Sequence, residues 1–465
     1  MVFSSIPFLY YFLPCVLLFY YSAPGRLKNA VLLLASIIFY GWGEPKFVFV
    51  MLLTILQGYL FGILIEKSGG RRAGVYAAVS AVISFGVLGY CKYADFFIEN
   101  FNRMTGLSVP LLRVTLPVGI SFYTFQIVSY IADVYRRKVP AQRNFVNLAV
   151  YIAMFPQLIA GPIVRYADIS RQLNGRRHSL EKCALGIRRF ILGLGKKVLI
   201  ANALGELCSI FRASEEKSVL FFWVYAAACA LQIYFDFSGY SDMAIGLGRI
   251  LGFDFPENFN YPFISGSATE FWRRWHISLG SWFRDYVYIP LGGNRVKRPR
   301  WLFNLMLVWF LTGFWHGAAW NFILWGLFFG ALLILEKLAL GKILEKAGFL
   351  RYIYMVPVIL VSFVLFDAAD LSRAWDSVRA MFGAGGFPAV SRESLYYLKS
   401  YGGILILAVI GATPLLSMGV SRLRKRAGTA RALNAVEPVA LLLLLLVITG
   451  YIVDGSFNPF LYFRF

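Results

Sequence analysis

Continuous apolar stretches of helix length recur along the whole chain, near residues 6–21, 30–42, 47–65, 74–93, 116–134, 145–164, 185–204, 220–237, 302–320, 322–340, 352–366, 402–419 and 438–453. Backbone in hydrocarbon must satisfy its own hydrogen bonds, which leaves only helices and closed barrels. A barrel requires alternating strands of roughly ten residues, whereas these runs are unbroken. A helix needs about 20 residues to cross a core of about 30 Å, and several runs fall short or carry Pro and Gly. The fold class expected is therefore all-α: a polytopic transmembrane helical protein with about 11–13 spans plus re-entrant or amphipathic helices. Composition agrees, because 15% charged residues against 59% hydrophobic ones cannot clothe a soluble body of this size. One transmembrane domain over residues 1–465 is expected, with a histidine-bearing core at about 230–326 and an aromatic tail at 454–465.

The formal net charge is +22, from 46 Lys and Arg against 24 Asp and Glu. These cations are scattered through loops rather than gathered with stacking aromatics, so they read as positive-inside loops and not as a nucleic-acid surface. Arg26 and Lys28, Arg71 and Arg72, and the run Arg422, Arg424, Lys425 and Arg426 are assigned to the cytoplasm, with both termini outside. Five cysteines stand singly with no CxxC pair, so neither a zinc site nor a disulfide framework is indicated. The first helix lacks a basic leader and cleavage site and is read as retained. The largest hydrophilic insert, about 371–399, reads as an amphipathic helix and loop on the membrane surface.

Two regions depart from lipid-facing texture. In LQIYFDFSGYSDMAIGLGRILGFDFPENFNYPF (231–263), Asp236 and Asp242 interrupt an apolar run. Such carboxylates either pair with arginines and loop amides or line a polar cavity, since an ionisable group at bilayer depth costs about 2.5–3.5 kcal/mol. In EFWRRWHISLGSWFRDYVYIPLGGNRVKRPR (270–300), helical spacing puts Trp272, His276 and Gly280 on one face. Arg273, Arg274, Arg284 and Asp285 make it too charged to span, so it reads as amphipathic or re-entrant. The following WFLTGFWHGAAWNFILWG (309–326) carries His316 in mid-span, with Trp309, Thr312 and Trp320 on its helical face and Asn321 next in sequence. Gly317, Ala318 and Ala319 are expected to admit a close backbone neighbour. Of the three histidines, His178 sits in a basic loop and reads as solvated; His276 and His316 are the candidates for chemistry. Histidine, with an unperturbed pKa of about 6.5, serves as a general base near neutrality. No GxSxG, HExxH or Walker-type loop occurs, and no metal site is expected. A base with hydrogen-bond donors suits acyl transfer from a thioester to a hydroxyl, while proton-coupled transport or lipid flipping stays open as the alternative class.

The blocks LPVGISFYTFQIVSYIADVYR, FPQLIAGPIVRY, IYFDFSGYSDMAIGLGRILGFDFPENFNYPF, EFWRRWHISLGSWFRDYVYIPLGGNR and LTGFWHGAAWNFILWG resemble the membrane-bound O-acyltransferase family, in the branch that O-acetylates bacterial alginate. The resemblance runs through nearly the whole chain. It implies a central tunnel through the membrane, with His316 as the essential histidine and His276 at the second signature position. Trp272, Arg273, Arg284, Asp236, Asp242, Trp309, Trp320 and Asn321 become candidates for the tunnel or donor site. It also implies no bound cofactor and acetyl-CoA as the cytoplasmic acyl donor. The location implied is the bacterial inner membrane, surrounded by membrane lipid. The partners implied are an extracytoplasmic serine esterase-like acetyltransferase and a polysaccharide synthase or secretion complex. D-alanyl or other acyl transfer to teichoic acid or peptidoglycan is the alternative within the family. The tail DGSFNPFLYFRF holds Tyr462, either an interfacial anchor or a candidate acyl carrier through its phenol oxygen.

Overall fold

The computed structural model describes residues 1–455; Tyr462 and the rest of 456–465 lie outside the described residues. Every regular element among the described residues is helical. Seven helices are long and apolar enough to cross a membrane: Phe47–Lys67, Gly70–Thr105, Val219–Ile250, Trp320–Lys346, Gly348–Asp367, Arg392–Gly411 and Ala427–Asp454. Pro7–Ser22 and Lys28–Gly41 are apolar but shorter. The protein is an all-α, multi-pass membrane protein. Seven such helices are fewer than the runs in the sequence, for reasons visible in those runs. The run at 145–164 is helical only over Phe145–Ala153. That at 185–204 holds Arg188, Arg189, Lys196 and Lys197 and passes through a π-helical turn at Lys196–Ala201. That at 302–320 breaks after His316.

Two compact units are distinguished: residues 1–190 with 240–257, and residues 191–239 with 258–465. In the first, helix Ile120–Tyr135 packs on Phe47–Lys67 and Gly70–Thr105. Gly62 permits the close approach, since a Cβ there would lie 2.6 Å from the Tyr130 hydroxyl. The solvated reading of His178 is corrected here. Its Nε2 meets the Tyr20 hydroxyl at 3.0 Å, and that hydroxyl also donates to the Leu251 carbonyl at 2.7 Å and accepts from Arg176 Nε at 2.7 Å.

In the second unit the expected amphipathic helix appears as Leu371–Met381, and the next helix already begins at Arg392. The loop between them caps another helix, because the Pro388 and Ala389 carbonyls accept the backbone N–H groups of Val219 and Leu220. These are N–H groups that a helix start leaves without an internal partner. The spans differ in surroundings. Of the apolar window of Val219–Ile250, 72% is buried against protein, whereas for Ala427–Asp454 the figure is 6%. The former is therefore mostly enclosed by protein, and the latter leaves its apolar surface uncovered. Helices Arg298–His316 and Trp320–Leu335 form a tight antiparallel hairpin. The close approach expected at Gly317, Ala318 and Ala319 is provided instead by Gly313 and Gly326. A Cβ at Gly313 would meet the Phe322 carbonyl at 2.2 Å, and one at Gly326 the Trp309 carbonyl at 2.3 Å.

Candidate active site

His316 is the last residue of helix Arg298–His316, followed by Gly317 in an extended conformation (φ −167°). The mid-span placement is thus corrected: it stands where one helix ends and the next has not begun. A helix end there leaves backbone carbonyls without intrahelical partners. The imidazole is buried, with the rings of Trp315, Trp325 and Phe366 at 4.9, 5.1 and 5.3 Å between centroids, all near edge-on.

His276 also sits at a break, between the short helices Ala268–Arg274 and Ile277–Phe283. The single helical face proposed for Trp272, His276 and Gly280 is therefore not formed. His276 itself adopts φ 43°, ψ 53°, a left-handed conformation that costs a non-glycine residue on the order of 1–3 kcal/mol and persists only where neighbours impose it. The neighbour is the extended segment at 258–260. The Asn258 carbonyl accepts Ile277 N–H at 3.0 Å, and Asn260 N–H donates to the Arg274 carbonyl at 2.9 Å.

The side chain of Asn258 then selects the tautomer of His276. Its Oδ1 accepts the Ser278 backbone N–H at 3.3 Å and the Ser278 hydroxyl at 2.8 Å. A backbone N–H can only donate, so Oδ1 is the oxygen, and His276 Nδ1, 3.1 Å from it, carries the proton. His276 Nε2 keeps its lone pair, is buried, and has no hydrogen-bond partner among the described residues. Burial pushes the pKa of this group down to about 3. A neutral imidazole of such low basicity orients a hydroxyl rather than removing its proton. The Trp315 ring lies against both histidines, 5.9 Å from His276 and 4.9 Å from His316. Phe237 closes the other side of His276 at 4.7 Å.

Trp272 packs edge-on against Trp309, Trp325 and Phe329. The indole N–H groups of Trp272 and Trp325 are buried without hydrogen-bond partners among the described residues. A buried donor left unpaired is costly, so such groups call for a ligand or water. Asn321 binds the Phe366 and Ala368 carbonyls at 3.3 and 3.0 Å, tying the start of its helix to the end of helix Arg351–Asp367. Asp236 is buried in an ion pair with Lys197 at 2.6 Å. Asp242 belongs to the first unit, where Arg189 grips it through Nε and Nη2 at 2.9 and 2.8 Å. Arg284 is exposed and paired with Asp285; Arg273 is exposed, and Trp320 is 47% exposed. The structure thus gathers His316, His276, Trp272 and Trp309 in one aromatic cluster, with Asn321 bracing it, while Arg284 is exposed and taken up by Asp285. Asn258 and Trp315 are additions. Asn258 lies inside a conspicuous polar block, but its contact with His276 depends on a helix break that periodicity does not reveal. Among the described residues no three His, Cys, Asp or Glu side chains converge as a metal-ligand set.

Residues 137–351 match the model of the MBOAT, membrane-bound O-acyltransferase family. The chain is 40% identical to a probable alginate O-acetylase AlgI of Azotobacter vinelandii over 100% of both chains. It is 42% identical to its counterpart in Pseudomonas aeruginosa over 88% of this chain and 80% of that one. It is 30% identical to a peptidoglycan O-acetyltransferase of Helicobacter pylori over 100% of this chain and 98% of the relative. With this coverage and the buried two-histidine site, the chain belongs to the membrane-bound O-acyltransferase family.

Proposed function

We propose that this O-acyltransferase takes an acetyl group from a cytoplasmic thioester donor, acetyl-CoA, and passes it across the bacterial inner membrane for O-acetylation of an extracellular polysaccharide such as alginate. The observation that carries the reading is His316, a buried imidazole at a helix break inside an aromatic box. Greater identity to the alginate O-acetylases than to the peptidoglycan enzyme favours alginate over the wall polymer.

In the step proposed, His316 removes the proton of an acceptor hydroxyl as its oxygen attacks the thioester carbonyl carbon. The C–S bond breaks as the C–O bond is completed, and the thiolate leaves with the proton returned by the imidazolium. Trp272 and Trp325 N–H groups supply donors for the developing oxyanion. His276, neutral and held by Asn258, accepts the hydroxyl hydrogen at Nε2 while the acceptor binds, before that one hydrogen turns to His316 for removal. Tyr462 is the candidate intramolecular acceptor, and an extracytoplasmic serine esterase-like partner beside a polysaccharide synthase or secretion complex would receive the acetyl group from it. Reconstitution in liposomes with radiolabelled acetyl-CoA on the cytoplasmic side and the partner outside tests this. Label on this chain and then on the partner is expected. Donor turnover with no label on either would overturn the reading.

A further inference from the structure

The candidate span Trp320–Lys346 is followed at once by the next, Gly348–Asp367. Two spans joined over one residue put their turn at a membrane surface. Lys337, Lys342, Lys346 and Arg351 around it assign that surface to the cytoplasm. Beside the turn lies an open cavity of about 540 Å³, lined by Arg273, Lys337 and Arg351 together with Trp301, Leu305 and Leu333.

The three cations are not bonded to carboxylates among the described residues, although the charge of Glu270 acts on Arg351. None makes an ion pair among the described residues. Lys337 lies over the Trp301 ring at 4.6 Å. Arg351 donates from Nη2 to the Tyr352 hydroxyl at 3.0 Å, while its Nε is buried with no hydrogen-bond partner among the described residues. Gly266 makes room for that guanidinium, since a Cβ there would fall 2.2 Å from Arg351 Cδ. Two of the three acids in the lining are engaged by donors of the chain itself. Glu336 accepts the N–H groups of Ala268 and Thr269 at 2.6 and 2.9 Å, with the Thr269 and Tyr354 hydroxyls at 2.7 and 3.2 Å. Glu270 accepts Gly266 N–H and Arg274 Nε at 3.0 and 3.1 Å. Glu345 also lines the cavity and is exposed.

The lining's cations and carboxylates are equal in number, but Glu336 and Glu270 are engaged by donors of the chain itself, Glu270 with Arg274 as its ion pair. The Nε of Arg351, without a hydrogen-bond partner among the described residues, is what calls for an anionic oxygen such as a phosphate's, and two features say what carries it. Trp301 is buried, covered by Lys337 on one face and bonded through Nε1 to the Tyr288 hydroxyl at 3.1 Å, so it offers no open ring to a nucleobase. Ile343, Phe349, Leu350 and Ile353 form an apolar skirt at the same turn, each at least 62% exposed, suited to acyl chains. Basic pockets between transmembrane helices on the cytoplasmic side take anionic lipid headgroups. We propose that this cavity binds the phosphate headgroup of an anionic phospholipid from the cytoplasmic leaflet, through charge-assisted bonds from Arg351, Arg273 and Lys337.

The test is native mass spectrometry of the full chain in nonionic detergent, titrated separately with phosphatidylglycerol, phosphatidylcholine and coenzyme A. Wild type should retain phosphatidylglycerol, and Lys337→Gln/Arg351→Gln should bind it at least tenfold more weakly. Lys342→Gln/Lys346→Gln, with the same charge loss outside the cavity, should bind it as wild type does. Gly266→Ala keeps every charge but displaces Arg351, and should lose the lipid too, which decides the matter if the double variant misfolds. Equal binding by wild type and cavity variants, or equal loss in both double variants, would overturn the site. So would coenzyme A binding that the cavity substitutions abolish, since the cavity would then belong to a soluble nucleotide.

Discussion

Replacing Asn258 by Ala should disorder His276 without touching any group that meets substrate. The Asn258 Oδ1 accepts three hydrogen bonds, from His276 Nδ1, Ser278 N and the Ser278 hydroxyl. The hydroxyl can rotate to another acceptor, but the other two donors stay buried and unpaired, at about 1–3 kcal/mol each. The backbone bonds that brace the left-handed turn at His276 survive the change, but with Oδ1 gone the imidazole is free to change tautomer and rotamer. If the loss of one such bond, about 1–3 kcal/mol, falls on the transition state, turnover drops roughly 5- to 150-fold. Asn258→Asp separates orientation from stability. Its carboxylate still accepts all three bonds but favours the imidazolium, so the His276 pKa rises from about 3 toward its ordinary value. That variant should work near the wild-type rate in alkali and lose activity as pH falls through the new pKa, as His276 becomes charged. The assay is acetyl transfer across a pH series, with thermal unfolding in detergent alongside. A folded Asn258→Ala protein with wild-type turnover, together with a flat comparison for Asn258→Asp, would refute the idea that Asn258 sets the state of His276.

His276→Gln should lower turnover but leave the acid limb of the pH profile, within about pH 5–8, where wild type has it. His276 is depressed to about 3, so it is neutral throughout that window and a shifted limb would show otherwise. Gly326→Val should lower the melting temperature of the detergent-solubilised protein. Its side chain would start from a Cβ 2.3 Å from the Trp309 carbonyl, and overpacking typically costs about 1–3 kcal/mol; unchanged melting would mean that the hairpin yields freely. Tyr462→Phe keeps the bulk of the tail and removes its phenol oxygen. Loss of transfer to the partner, and of a hydroxylamine-labile acetyl adduct on the C-terminal peptide, is expected; wild-type polymer acetylation would leave Tyr462 an anchor.

The helical class, the polar block at 231–263 and the aromatic block around His316 are legible in the sequence because burial in a membrane writes itself as long apolar runs and their interruptions. What periodicity misses is where a helix stops. Both histidines lie at breaks that the 3.6-residue pattern passes straight through, Trp275–His276–Ile277 and His316–Gly317. A continuous helix over 309–326 would have put Trp320 on the helical face of His316; the break after His316 places it instead at the start of the next helix, 47% exposed. Asn258 is invisible for a related reason, since its bond to His276 joins residues 18 apart through an irregular segment. The carboxylates Asp236 and Asp242 illustrate the reverse. Their sequence setting allows either pairing with cations or a polar lining; the fold supplies the pairing, with Lys197 and Arg189 as partners that only the folded chain identifies.

The proposed function requires His316 to be the base for acyl transfer. The direct measurement is turnover of radiolabelled acetyl-CoA by purified, reconstituted His316→Ala beside wild type at matched insertion. A positioned general base contributes typically about 10²–10⁴-fold. A loss of at least that size is expected, with no label reaching the tail or the partner. A correctly inserted His316→Ala protein keeping more than roughly a tenth of wild-type turnover, far above that range, would contradict it.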